Sequence, residues 1–359
     1  MQTQSNALNF SGQNIYVGID VHKTSWSVTI MSEHLEHKTF SQNPDVDILH
    51  QYLLRHFPGA SYHSAYESGF CGYWIHRELQ SRQMNCLVVN AADVPTTGKE
   101  KVNKTDKRDS RKIARSLSNG ELTGIHIPTR QTQEDRSLLR CHYAISKNLS
   151  REKIRIKSLL NFYGIHHPAK FEKNGTHWSK RYLEWLKTVP MEYETGKDAI
   201  ALLIKSVEEL RKLKLEVNRK VRHLSCTDRY RENYQLMTSI PGIGLITGMT
   251  LLTEIENISR FSNTDLLAAY IGLIPSCHSS GENEQDGRIT FRSHRLMRVM
   301  LVESAWKAAA KDPALHQAFL KLCKRMEANK AIIRIARKLL NRISFVLKNK
   351  QEYVCCVVK

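Results

Sequence analysis

I-Y-V-G-I-D, Ile15 to Asp20, is the stretch on which the fold turns. Its β-branched and aromatic residues predict a short strand over Ile15 to Ile19, and that strand runs out on a carboxylate. Trp26 to Met31 alternates as a second strand, and Glu36 to Phe40 supplies a third after the turn around Ser32. Three strands in quick succession predict an antiparallel meander. The period then changes: Asp45 to Phe57 is helix-periodic, Tyr62 to Tyr66 a strand, Tyr73 to Ser81 a helix, Cys86 to Asn90 a strand, and Asp106 to Leu117 a helix.

The order β-β-β-α-β-α-β-α is that of the ribonuclease H-like fold, in which a mixed sheet carries a metal site at strand ends and on the last helix. Four carboxylates fall on those places. Asp20 closes the first strand, Glu67 the fourth, and Asp106 and Asp109 project from one face of the closing helix, three residues apart. Taken singly, an aspartate after a strand is usually a turn or cap residue, and D-x-x-D on a helix is usually a solvated face. Their joint fit to one topology points to a seat for a hard divalent cation, Mg²⁺ (or Mn²⁺), which takes oxygen ligands and keeps waters that a phosphate can replace. Paired ions ~3.5–4 Å apart stabilise both the entering and the leaving oxygen of a phosphoryl displacement. Lys99, Lys101, Lys104, Lys107, Arg108, Arg111, Lys112 and Arg115 crowd the two helical aspartates, a density of like charge that calls for an anion.

Composition supports the same chemistry. The 359 residues carry 54 Lys+Arg against 35 Asp+Glu, a formal net charge of +19. Such an excess serves a polyanion, nucleic acid or an anionic membrane surface. The chain is long enough for two or three domains, and 41% hydrophobic content is ordinary for a globular protein. No apolar run approaches the ~20 residues of a spanning helix, and the opening residues have neither the basic nor the apolar region of a signal peptide. A cytoplasmic protein without a membrane partner is the expectation. The eight cysteines include no C-x-x-C pair and no zinc-finger spacing, so any metal must be held by oxygen.

Beyond residue 128 the pattern is helical. Leu138, Leu139, Ile145, Leu149, Ile154, Ile156 and Leu160 recur at helical spacing among Arg136, Arg140, Lys147, Arg151, Lys153, Arg155 and Lys157. A second charged helix runs from about Lys197 to Leu224, after an irregular stretch containing His166, His167, Trp178 and Trp185. Two long helices so joined predict an antiparallel coiled-coil arm or oligomerisation hairpin. Ser239 to Ile255 reads S-I-P-G-I-G-L-I-T-G-M-T-L-L-T-E-I. Gly242 and Gly244 there fit the hairpin of a helix-hairpin-helix element, whose backbone N–H groups meet a phosphate without reading sequence. A tight turn in an all-helical domain fits them nearly as well. Ser279-Ser280-Gly281 reads as a loop, with His278 and His294 nearby and no triad legible. Ala331 to Leu347 reads as a core-facing helix with a basic outer stripe.

Together, Y-V-G-I-D-V-H-K at Tyr16 to Lys23, A-Y-E-S-G at Ala65 to Gly69, N-K-T-D-K-R-D-S-R-K-I-A at Asn103 to Ala114, S-I-P-G-I-G, and A-A-Y-I-G-L-I-P followed by S-S-G closely resemble the insertion-sequence one-ten (Piv-like) DEDD transposases. The resemblance spans nearly the whole chain. It implies a RuvC-like domain over 1–128, a coiled-coil connector over 129–230, and a mainly helical C-terminal transposase domain over 231–359. It also implies a catalytic set of Asp20, Glu67, Asp106 and Asp109 with Ser280 as nucleophile, Ser279 being one residue of register away. Attack of Ser280 on a DNA phosphodiester gives a phosphoserine link and a free hydroxyl, with Mg²⁺ at the carboxylates stabilising the charge. Arg288, Arg292, Arg295 and Arg298 become phosphate contacts. The implied partners are donor and target DNA, a structured bridge RNA from the element's own non-coding end, and further copies of the chain in a dimer or tetramer, in the cytoplasm at the nucleoid of a bacterium. Glu282, Glu284 and Asp286 depart from the family by making the loop after the serine acidic. A RuvC-like nuclease or resolvase using metal-activated water is the alternative, and a non-enzymatic nucleic-acid-binding descendant is a third reading.

Overall fold

A computed structural model describes residues 9–33, 35–96, 105–171, 177–280 and 283–355, with the backbone alone at 276–280 and 283–288. The chain forms two compact units, Met1–Ile127 and Pro128–Lys359.

In the first unit a five-stranded mixed sheet has the order β3-β2-β1-β4-β5, with β1 at Asn14–Val21, β2 at Trp26–Met31, β3 at Glu36–Gln42, β4 at Ser61–Glu67 and β5 at Asn85–Val89. The first three strands are the expected antiparallel meander. β4 and β5 add in parallel beside β1, as strands separated by the helices α1 (Val46–His56) and α2 (Trp74–Ser81) can. Central β1 is covered on both sides, which is why its sequence is apolar almost throughout. Ile15, Val17 and Ile19 are fully buried on one face, in the cluster that holds Leu49, Leu53, Ile75 and Leu79 of α1 and α2.

The opposite face is built for close approach. Gly18 pairs with Thr29 of β2 and with Ala65 of β4, a row of small side chains. Helix α3, Asp106–Ser118, lies directly on that row: a Cβ at Gly18 would stand 2.1 Å from the Ser110 carbonyl oxygen and 2.4 Å from the Ala114 nitrogen. Ser110 Oγ is the polar key of the contact, within hydrogen-bond distance of Thr29 Oγ1 (2.9 Å) and Ser27 Oγ (3.2 Å). These buried hydroxyls satisfy one another, which offsets the desolvation each would otherwise suffer.

The second unit is mainly helical. Helices α4 (Arg130–Phe162) and α6 (Glu194–Ser225) form a long hairpin, packed antiparallel, with α5 (Lys180–Lys187) near its far end. Two apolar clusters lie along it. Leu139, Val217 and Val221 belong to the large core of the unit, whereas Leu149, Ile156, Leu160, Ile200, Ile204 and Val207 join Phe171, Tyr182 and Leu186 in a separate one. Between them stand buried His142, facing Lys214 and Asn218, and Ser146, whose Oγ has no hydrogen-bond partner among the described residues.

The body of this unit comprises α7 (Arg231–Thr238), α8 (Leu245–Ile255), α9 (Thr264–Ile271), a two-stranded hairpin of β6 (Pro275–Ser280) and β7 (Asn283–Ile289), α10 (Arg295–Lys311), α11 (Pro313–Cys323) and α12 (Ala328–Asn349). Ile332, Ile335, Leu339, Ile343 and Val346 of α12 are buried in the core, as its period predicts. No helix among the described residues is long and apolar enough to cross a membrane.

Candidate active site

Side chains two residues apart on a strand share a face. Asp20 is two beyond Gly18 and Glu67 two beyond Ala65, so both follow the row on which α3 lies, at the ends of neighbouring parallel strands. The first turn of α3 supplies Asp106 and Asp109. His22, just past β1, completes the group: its Nε2 is 3.3 Å from Asp20 Oδ2 and 3.5 Å from Asp106 Oδ1. Ligand atoms of Asp20, His22 and Asp106 all lie within 4.8 Å of one another. On the other side Lys112 Nζ sits 3.3 Å from Asp109 Oδ1 and 3.8 Å from Glu67 Oε1.

The electrostatics record the crowding. Burial raises the Asp20 carboxyl above its usual value; His22 opposes this, and Asp109 and Asp106 push it further up. A divalent cation is the ligand that relieves such mutual repulsion. The donor set, carboxylate oxygens opening to solvent on the Asp106 side where the side chain is 63% exposed, fits a hard cation that shares its coordination sphere with a phosphate.

The cations expected around the aspartates divide. Lys107 and Arg108 are exposed. Arg111 instead donates to Glu36 at 2.7 Å and lowers the Glu36 carboxyl. Lys112, read from sequence as a phosphate contact, has only 9% of its side chain exposed and faces the carboxylates; its position on α3 turns it toward the sheet. Lys104 lies outside the described residues.

The C-terminal residues also divide. Gly242, at φ +90°, is required by packing, because a Cβ there would stand 2.4 Å from the Ser304 carbonyl oxygen of α10. Gly244 has open space around it and leads into α8. Ser279 and Ser280 end a strand rather than occupy a loop, and Ser280 pairs in register with Asn283. The Ser280 and Arg288 side chains lie outside the described ones.

The base of this β hairpin is tied down. Arg298 donates to the Thr290 carbonyl at 2.6 Å and to the Gly272 carbonyl at 3.4 Å, so it serves the backbone where a phosphate contact was expected. Arg292 and Arg295 are exposed. His294 caps α10 and reaches Glu254 Oε2 at 3.3 Å. Glu254 is buried and also meets Arg140 at 3.1 Å and Arg136 at 3.4 Å. Arg136 further donates to the carbonyls of Thr253 and Glu254. Neither Glu254 nor Arg136 was singled out from sequence as a site-supporting residue; the only signal was an acidic residue ending the apolar run of α8.

Comparison with known proteins finds two family models on the chain. The family model of the IS110-type DEDD transposases matches residues 17–165, and that of the transposase IS116/IS110/IS902 family matches residues 234–320. The chain is 27% identical to the y4qE protein of Sinorhizobium fredii over 241 residues, 67% of this chain but 57% of that protein's length. The transposase for insertion sequence element IS1111A of Coxiella burnetii is 26% identical over 266 residues, 71% of this chain and 70% of its own. A pilin gene-inverting protein of Moraxella lacunata is 24% identical over 356 residues, 94% of this chain and 97% of its own.

Proposed function

This chain belongs to the IS110 family of transposases, enzymes that cut and rejoin DNA, and we propose that it recombines donor and target DNA through a serine–phosphate intermediate with a divalent cation at Asp20, Glu67, Asp106 and Asp109. The observation that carries the reading is the convergence of Asp20 and Asp106 across the β1–α3 contact, with ligand atoms inside one 4.8 Å group. The N-terminal unit then takes the RuvC-like, ribonuclease H-like role, 129–230 the connector, and 231–359 the transposase domain with its helix-hairpin-helix turn.

Ser280 Oγ forms the bond to phosphorus, the P–O bond to one deoxyribose breaks, and the proton of the serine ends on the released hydroxyl. One phosphodiester is exchanged for another, so the reverse attack needs no outside energy. A bound Mg²⁺ or Mn²⁺ would neutralise charge on the phosphoryl and leaving oxygens. Lys107, Arg108, Arg292 and Arg295 hold the backbone, and the N–H groups beginning at Gly244 offer a sequence-independent contact. Target choice falls to a guide RNA, and meeting of the two sites to a dimer or tetramer at the bacterial nucleoid.

The test is a covalent-adduct assay on supercoiled donor and target DNA with the element's non-coding RNA. Ser280→Ala is expected to abolish the protein–DNA adduct while DNA binding persists, and Ser279→Ala to retain it. An adduct of unchanged yield from Ser280→Ala would move the nucleophile to another side chain, Ser279 first, whereas strand cleavage by Ser280→Ala with no adduct, needing the carboxylates alone, would instead support hydrolysis by activated water.

A further inference from the structure

We propose that His22 is a ligand of the metal site, which makes that site a mixed nitrogen and oxygen seat rather than an all-carboxylate one. The inference rests on the reading of the four carboxylates as a cation site and adds a fifth side chain to it.

Geometry carries the assignment. His22 follows Asp20 by two residues at the end of β1, and its backbone N–H donates to the Ser25 carbonyl at 3.1 Å, closing the turn into β2. That turn aims the ring across the strand end to the first turn of α3. In an octahedral shell with ligands ~2.1 Å from the ion, neighbouring ligand atoms stand about 3 Å apart. The separations from His22 Nε2, 3.3 Å to Asp20 and 3.5 Å to Asp106, are close to that edge. His22 is thus nearer to both than Lys112 is to Glu67.

Charge argues against a purely structural contact. A histidine shared by two carboxylates leaves the group anionic whatever the state of the ring, and Asp109 adds to it. The ring is also 47% exposed and Asp106 63% exposed, a setting in which a bare ion pair contributes little. A divalent ion lying between the three satisfies all of them.

An imidazole donor moves the preference of the seat from Mg²⁺ toward softer divalent ions such as Mn²⁺. The experiment is a Mn²⁺ titration of the full-length protein by electron paramagnetic resonance, with pulsed detection of ¹⁴N coupling, on wild type, His22→Ala, His22→Gln and Asp20→Asn, each checked for folding by circular dichroism. Wild type is expected to show the coupling of a directly bound imidazole. Both His22 variants should lose it and bind Mn²⁺ about 10-fold or more weakly, with a smaller Mn²⁺-over-Mg²⁺ preference. Wild-type Mn²⁺ binding without ¹⁴N coupling, or unchanged affinity in both His22 variants, overturns the assignment and leaves the carboxylate site standing. Unchanged binding in Asp20→Asn as well overturns the cation reading itself.

Discussion

Replacing Gly18 by alanine tests the packing on which the site depends. The added Cβ would meet the Ser110 carbonyl oxygen at 2.1 Å, the Ala114 nitrogen at 2.4 Å and the Ala114 Cα at 2.9 Å. Real contacts essentially never fall under 3.0 Å, so α3 has to back away from β1 by about 0.9 Å at the nearest atom. Overpacking of this kind costs ~1–3 kcal/mol, a fall in Tm of roughly 3–15 °C for a unit of this size. The same displacement separates Asp106 and Asp109 from Asp20, and metal sites tolerate only about 0.2 Å; a misplacement near 1 Å costs ~10²-fold in catalysis. The assay is a thermal melt with and without Mn²⁺, paired with single-turnover strand cleavage. Gly18→Ala should melt earlier, gain little from Mn²⁺ and cleave about 100-fold more slowly. Because the opposing atoms are main chain, Ala114→Gly should fail to rescue it. Wild-type melting and an undiminished Mn²⁺ response in Gly18→Ala would refute the argument.

Two further outcomes follow from charges the structure pairs. Burial pushes the Glu254 carboxyl up, but the hydrogen bond and charge of His294, with Arg140 and Arg136, outweigh it and hold the group below its ordinary value of 4.5. Stability from this site is therefore present above about pH 4.5 and lost as pH falls through the depressed value. Glu254→Gln should cost about 3 kcal/mol at neutral pH and flatten the acid limb of the stability curve, measured by urea unfolding from pH 3 to 7; a parallel curve would contradict the pairing. Lys112→Met leaves Glu67 and Asp109 without their shared cation. The metal-free protein should lose roughly 1–3 kcal/mol, and the stabilisation by Mn²⁺ should grow; equal melts with and without the ion in both proteins would rule this out.

The N-terminal unit was legible because its elements announce themselves by period. Strands with buried alternation and helices with an apolar stripe appear within a few residues of their expected ends, and the four carboxylates could be assigned to element ends before any geometry was known. Gly18 was not read as a packing residue, since its importance lies in a helix ninety residues later. The cations show a related limit: Lys112, Arg111 and Arg298 look alike in sequence to solvent-facing residues, yet in the structure they meet half-buried carboxylates, an edge-strand glutamate and backbone carbonyls respectively. Periodicity reports faces, not partners. The β6–β7 hairpin escaped because Cys277 to Gly287 carries no apolar alternation in sequence.

The polar step between the two apolar clusters of the α4–α6 arm has a consequence for how the molecule can change over time. Because His142, Lys214 and Asn218 stand where no common apolar seam joins the two clusters, the outer half of the arm is held by a core of its own. Loosening of the outer half would uncover only its own apolar cluster, so its opening need not disturb the core at the root of the arm.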